Sequence, residues 1–241
     1  MANIDRDNRY FYLRLFGLPF SLFRYFFKLF KLKRISKNYV VGASDDSEES
    51  RYTKFLALYK SQLFRKKLEY SFVFKKKIAK QQIIFVVNDI LDWYSIGLMN
   101  YIVKYQEHPY PKFLLNDLFI DKKKDNNLPV FWDFIDTFYG ESDLDRALSN
   151  KRSLFIERSF LARHPNSMEK IKASHISIMP IYCLRQMDND RIWYFSGELI
   201  KTSNLVLFKS CALLETIDNA FLKLEKEAQN VVTNRKNQKK K

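Results

Sequence analysis

Five glycines in 241 residues constrain this chain more than any motif in it. Average glycine usage is roughly 7%, and glycine supplies the left-handed conformations of tight turns and the bare backbone that cradles phosphates. A chain so short of it has little material for left-handed turns and is expected to build a helix-rich body. Neither GxxxxGK[ST] nor GxGxxG occurs, so phosphate loops of the usual kinds are not expected. A hydrophobic fraction of 46%, with 16% aromatic residues, is ample for a buried core and excludes a disordered chain.

The formal charge of +15 is distributed unevenly. Residues 10–37 hold seven basic residues and no acid, residues 51–82 hold ten against Glu69 alone, and residues 223–241 hold seven against two. Between the first two blocks lies SKNYVVGASDDSEES, whose acids, serines and glycine have the composition of a linker. These shifts divide the chain into a basic aromatic segment (1–37), an acidic linker (38–50), a helical region (51–174), a β-meander with a C-terminal helix (175–228) and a disordered basic tail (229–241). The N-terminus MANIDRDNRY does not open like a signal peptide. Arg14, Arg24 and Lys28 interrupt the longest apolar region before it reaches membrane-spanning length. Two cysteines, Cys183 and Cys211, and no Asn-x-Ser/Thr acceptor suggest a reducing compartment.

Periodicity then assigns elements. After Gly17 and Pro19 a helix is expected from Phe20, with Ser21, Arg24, Lys28 and Lys31 on a narrow polar strip and Phe or Leu filling the rest. Residues 51–107 read mostly as helix. YSFVF fits a short strand, whereas IIFVVNDILDWYSIGLMNYIVKY reads as an all-round apolar, buried helix. KFLLNDLFI and PVFWDFIDTFYG read as short aromatic helices or turns, and Ser142 as the cap of one helix through DLDRALSNKRSLFIERSFLARH that Pro165 stops. HISIMPIYCLRQM, RIWYFSGELIK and LVLFK form β-rich runs separated by turn residues. CALLETIDNAFLKLEKEA carries Cys211, Leu214, Ile217, Phe221 and Leu224 on one face to pack on the resulting sheet. The fold class expected is therefore α+β: a helical N-terminal half with a small antiparallel sheet and a C-terminal helix packed on it.

Catalytic signatures are scarce. His108, His164 and His175 stand far apart, outside any HxxxH or CxxC pattern, and read as surface or helix-end residues, so no metal site and no cofactor are expected. Asp89/Asp92 and Asp133/Asp136 have helix-face spacing and offer weak support for a metal-dependent nuclease. Glu198 and Lys201 would point to opposite faces of a strand.

Contact surfaces dominate the reading instead. Phe20, Phe23, Arg24, Phe26, Phe27, Lys28, Leu29, Phe30 and Lys31 form an amphipathic docking segment for a membrane or a partner protein. Arg65, Lys66, Lys67, Lys75, Lys76 and Lys77, interleaved with aromatics, suit a polyanion. The leading expectation is a non-enzymatic adaptor or structural subunit of a larger protein assembly, in the cytoplasm or at the inner face of a membrane. It would contact an anionic surface, either nucleic acid or membrane lipid, with no small-molecule substrate. The alternative is nonspecific nucleic-acid binding in a replication, transfer or ribosome-associated complex.

Overall fold

The computed structural model describes residues 69–89, 95–115, 137–186, 191–205 and 210–238, all within one compact unit, Phe64–Lys241. The proposed docking residues from Phe20 to Lys31, the acidic linker, Arg65, Lys66, Lys67, Asp92, Asp133 and Asp136 lie outside the described residues.

Seven strands form one sheet: β1 (Glu69–Val73), β2 (Ile83–Val87), β3 (Lys112–Leu115), β4 (Phe138–Tyr139), β5 (Leu154–Glu157), β6 (Ser177–Gln186) and β7 (Arg191–Ser196), in the order β1-β7-β6-β2-β5-β3-β4. Strand β2 lies at the centre, parallel to both β5 and β6, and β3 is parallel to β5 and β4. Among the described strand pairs only β6 and β7 are antiparallel, and β1 closes the far edge parallel to β7. The helices are α1 (Ser95–Tyr105), α2 (Leu144–Ser149), α3 (Arg158–Arg163), α4 (Pro165–Ala173) and α5 (Ser210–Gln238). The architecture is thus a mostly parallel α/β sheet, which corrects the expected α+β arrangement of a helical half beside a small antiparallel sheet.

The cause of the difference is visible in β2. Ile83, Ile84, Phe85, Val86 and Val87 are all buried, because a central parallel strand is covered on both faces and shows no alternation. The same continuous apolar run reads equally well as a buried helix. Similarly, the single helix expected through residues 142–164 is α2, β5 and α3, broken where Lys151 takes a left-handed conformation at φ 58°. Asp143 rather than Ser142 occupies the N-cap of α2, and Pro165 opens α4 instead of merely ending its predecessor.

Alternate residues serve the two faces. Ile84, Val86, Leu154, Ile156 and Ile178 meet Leu144, Phe160, Ile171, Leu213, Ile217 and Phe221 from α2 to α5. On the other face Phe155 contacts Phe85 and Phe113 at ring-centroid distances of 5.1 and 5.0 Å, and Tyr101 of α1 stacks on Phe72 at 4.0 Å. Gly97 permits this approach, since a Cβ there would come within 2.5 Å of the Tyr70 ring. Burial of each large apolar side chain contributes about 1.5–3 kcal/mol. Farther along α5, Leu224 and Ala228 pack with Trp193 and Phe195, joined by Val231 and Val232. The helix therefore continues to Gln238, through residues 229–238 of the segment expected from sequence as a disordered tail.

Candidate functional site

The C-terminal ends of β2, β3, β4 and β5 lie together, and in an open α/β sheet this is where ligands bind. Strand β6 runs beyond them. Val87 is level with Ile181 on one side and with Glu157 on the other, so residues 182–186 stand as a wall past the end of β2.

Asn88 fastens β2 to that wall. Its backbone N–H donates to the Ile181 carbonyl at 3.4 Å. Its side-chain Oδ1 accepts from the Cys183 N–H at 2.5 Å while Nδ2 donates to the Cys183 carbonyl at 3.2 Å. The amide thus imitates one more peptide of the strand and satisfies both groups of Cys183. Next to it the Asp89 carboxylate accepts from Arg185 Nε, with the two side chains 28% and 26% exposed. Both charges remain within reach of solvent.

On β5, Glu157 shares the face of Phe155 by strand alternation, as Cys183 and Arg185 share that of Ile181. Its carboxylate is buried and accepts from Ser159 Oγ at 2.9 Å. The following residue, Arg158, turns to the other face, where it meets Asp218 of α5 at 2.6 Å. The Asp218 carboxylate holds the Arg158 guanidinium above its usual pKa. Cys183 is a poor nucleophile here: burial pushes its thiol up to about 12, with the nearby Asp89 charge adding to the effect.

A second polar group sits behind β4. Glu141 accepts from Ser167 Oγ at 3.1 Å and lies 3.3 Å from His164 Nδ1. Because the carboxylate serves both partners, this is a bracket between the turn and α4 rather than a nucleophile–base relay.

The opposite end of the strands holds His108, and it is not a surface residue. It is 2% exposed, with Nε2 2.7 Å from Ser153 Oγ, which also accepts from the Ile83 N–H at 2.9 Å. Burial holds the imidazole below its ordinary pKa, opposed by the nearby Ala79 backbone. Nδ1 closes no hydrogen bond of its own. His175 is exposed in a left-handed turn at φ 56°.

Of the residues singled out from sequence, Asp89 lies at the end of a strand instead of on a helix face, and Glu198 and Lys201 lie just past β7. Lys75, Lys76 and Lys77 are exposed between β1 and β2, where the loop runs toward the end remote from Asp89 and Lys77 meets Glu107. Asn88, Glu157 and Arg185 were missed. No group of three or more metal-ligating side chains gathers among the described residues.

A mostly parallel sheet with a polar cluster at the C-terminal end of its central strand defines the class: an α/β fold of the kind that holds small-molecule sites. No family model and no curated protein matches the chain. Among solved structures, the fold is similar to the 1-acyl-sn-glycerophosphate (LPA) acyltransferase PlsC from Thermotoga maritima, with a TM-score of 0.56 at 11% identity over 89% of this chain and 97% of that one. At that identity the likeness shows the fold. It nevertheless corrects the sequence-based expectation of a non-enzymatic adaptor, with nucleic-acid binding as its alternative and no small-molecule substrate, because the solved protein similar in fold is an acyltransferase. No helix among the described residues is long and apolar enough to cross a membrane.

Proposed function

We propose that the chain is an acyltransferase working at a membrane surface, moving an acyl group from an activated thioester onto the hydroxyl of a lysophospholipid. The supporting observation is the Asp89–Arg185 pair beyond the central strand of a sheet shared, over nearly the full length of both chains, with a 1-acyl-sn-glycerophosphate acyltransferase. Arg185 suits the acceptor's phosphate, since a guanidinium binds such oxygens in a planar fork. Once Arg185 turns to that phosphate, the Asp89 carboxylate can take the proton of the attacking hydroxyl. The hydroxyl oxygen bonds to the acyl carbon, the carbon–sulfur bond breaks, and the thiolate leaves to be protonated. Asn88 holds the turn that presents Asp89. The aromatic basic segment, through Phe23, Phe26 and Phe30, supplies attachment to the bilayer.

The test is an assay of the full chain with a labelled acyl thioester and lysophosphatidic acid. The expected product is a diacyl phospholipid, with Asp89→Asn lowering kcat by roughly 10²–10⁴ and Arg185→Ala raising KM for the acceptor. Absence of product from a folded protein, across lysophospholipid acceptors, overturns the proposal.

A further inference from the structure

The end of the sheet remote from Asp89 displays the unbalanced charge. Lys75, Lys76, Lys77 and Lys80 are exposed on the loop before β2, Lys104 ends α1, and Lys151 sits in the turn before β5. Two acids answer them: Glu227 binds Lys75 at 2.6 Å and Glu107 binds Lys77 at 2.9 Å. Lys76 and Lys151 have no acidic partner among the described residues, and Lys80 shares the charge of Glu107, whose hydrogen bond goes to Lys77.

This loop is fastened from beneath. Ile78 is 3% exposed, and its N–H donates to Gln106 Oε1 at 3.1 Å. The Gln82 side chain donates to the carbonyls of Leu148 and Arg152 at 3.1 and 3.0 Å, bringing the Lys151 turn alongside. The lysines are therefore carried by an anchored backbone, so little order has to be gained on binding. Beside them Tyr105 is 63% exposed, with Lys104 Nζ 5.7 Å from its ring centroid. An amphipathic ring next to ammonium groups suits a headgroup layer, where one side is apolar and the other wet.

We propose that this end of the sheet is a docking surface for anionic phospholipid headgroups. The charge and the anchored loop stand without the acyltransferase reading; only the choice of lipid over another polyanion rests on it. Each lysine near such a surface strengthens attachment by about fivefold.

The experiment is co-sedimentation of the full chain with vesicles of phosphatidylcholine, alone or mixed with phosphatidylglycerol, for the wild type and for Lys76→Glu/Lys80→Glu/Lys151→Glu. The basic segment 10–37 is present in both proteins, so their difference isolates the loop. Binding to the anionic vesicles should fall at least about 100-fold in the variant, the wild-type affinity should drop with salt, and the melting curve should not move, because all three side chains are exposed. Equal binding by the two proteins, or a wild type indifferent to phosphatidylglycerol, overturns the proposal. So does displacement from the vesicles by a single-stranded oligonucleotide at a lower charge concentration than by phosphatidylglycerol itself, since that marks nucleic acid as the preferred polyanion. Turnover of a detergent-dispersed acceptor separates the two readings: charge-dependent vesicle binding without turnover removes the enzyme and leaves the surface.

Discussion

The two ends of the sheet solve the same problem with different chemistry. At the C-terminal end of β2 the polar groups are charged and half-accessible, with Asp89 and Arg185 little more than a quarter exposed. At the N-terminal end, beneath the lysine-bearing loop, the pair between the strands is neutral and closed, with His108 and Ser153 each 2% exposed. A charged pair in contact with water can exchange its partner for a ligand at modest cost, because water screens each charge while the other is engaged. A buried neutral pair has no such option, since an unmade hydrogen bond there keeps its full desolvation cost. The difference separates a pair able to change partners and react from a pair that holds strands together, although the latter is the histidine and serine that chemistry usually favours.

The comparison breaks most visibly at His108. Replacement by Ala should cost about 2–4 kcal/mol, from the lost ring volume against Phe85 and the stranded Ser153 hydroxyl. Urea unfolding measures it, and His108→Gln should recover part of the loss by keeping an acceptor. Asn88→Ala comes next, at about 1–3 kcal/mol, because both backbone groups of Cys183 lose their partner. In a Cys211→Ser background its second signature is faster alkylation of the buried Cys183 thiol. An Asn88→Ala protein as stable as wild type, with an unreactive thiol, would show that the wall of β6 stands without this fastening.

The smallest expected effect is a pH dependence confined to one end. With its folded pKa below 6.5, His108 binds a proton more readily in the unfolded chain. Stability is therefore complete above about pH 6.5 and declines as pH falls from there toward the folded value. Unfolding midpoints at pH 7.5 and 5.5 should diverge for the wild type and converge for His108→Gln.

Sequence made some of this legible. The strand at YSFVF, the β-runs now forming β6 and β7, and the apolar face of α5 were readable, because the runs are short, rich in aromatic and β-branched residues and, for β6 and β7, bounded by turn residues, while the helix repeats against one covered side. Strands β2, β3 and β5 were not, since they are buried on both faces and carry no period. Glycine scarcity misled for a related reason. Hairpins need left-handed turn residues, but parallel strands are joined by crossovers through helices, which need almost none. The site was illegible because Asp89 and Arg185 are 96 residues apart, and neither has a neighbour in sequence that hints at the other. Spacing pairs Asp89 with Asp92 on a helix face, whereas Asp89 follows the end of strand β2. The lysines at 75–77 were readable as charge alone; the buried Ile78 that anchors their loop gave no sign of its role.

Among the described strands β1 pairs only with β7, and its first residue, Glu69, binds Arg191 across a separation of 122 residues. During synthesis at about 5–20 residues per second, β1 thus leaves the ribosome roughly 6–24 s before its partner exists. For that interval Tyr70, Phe72 and Val73 form an apolar strand with no sheet to join. Of the described strands β1 is the first made and among the last to be paired, so the nascent chain depends on whatever shields those three side chains while it waits.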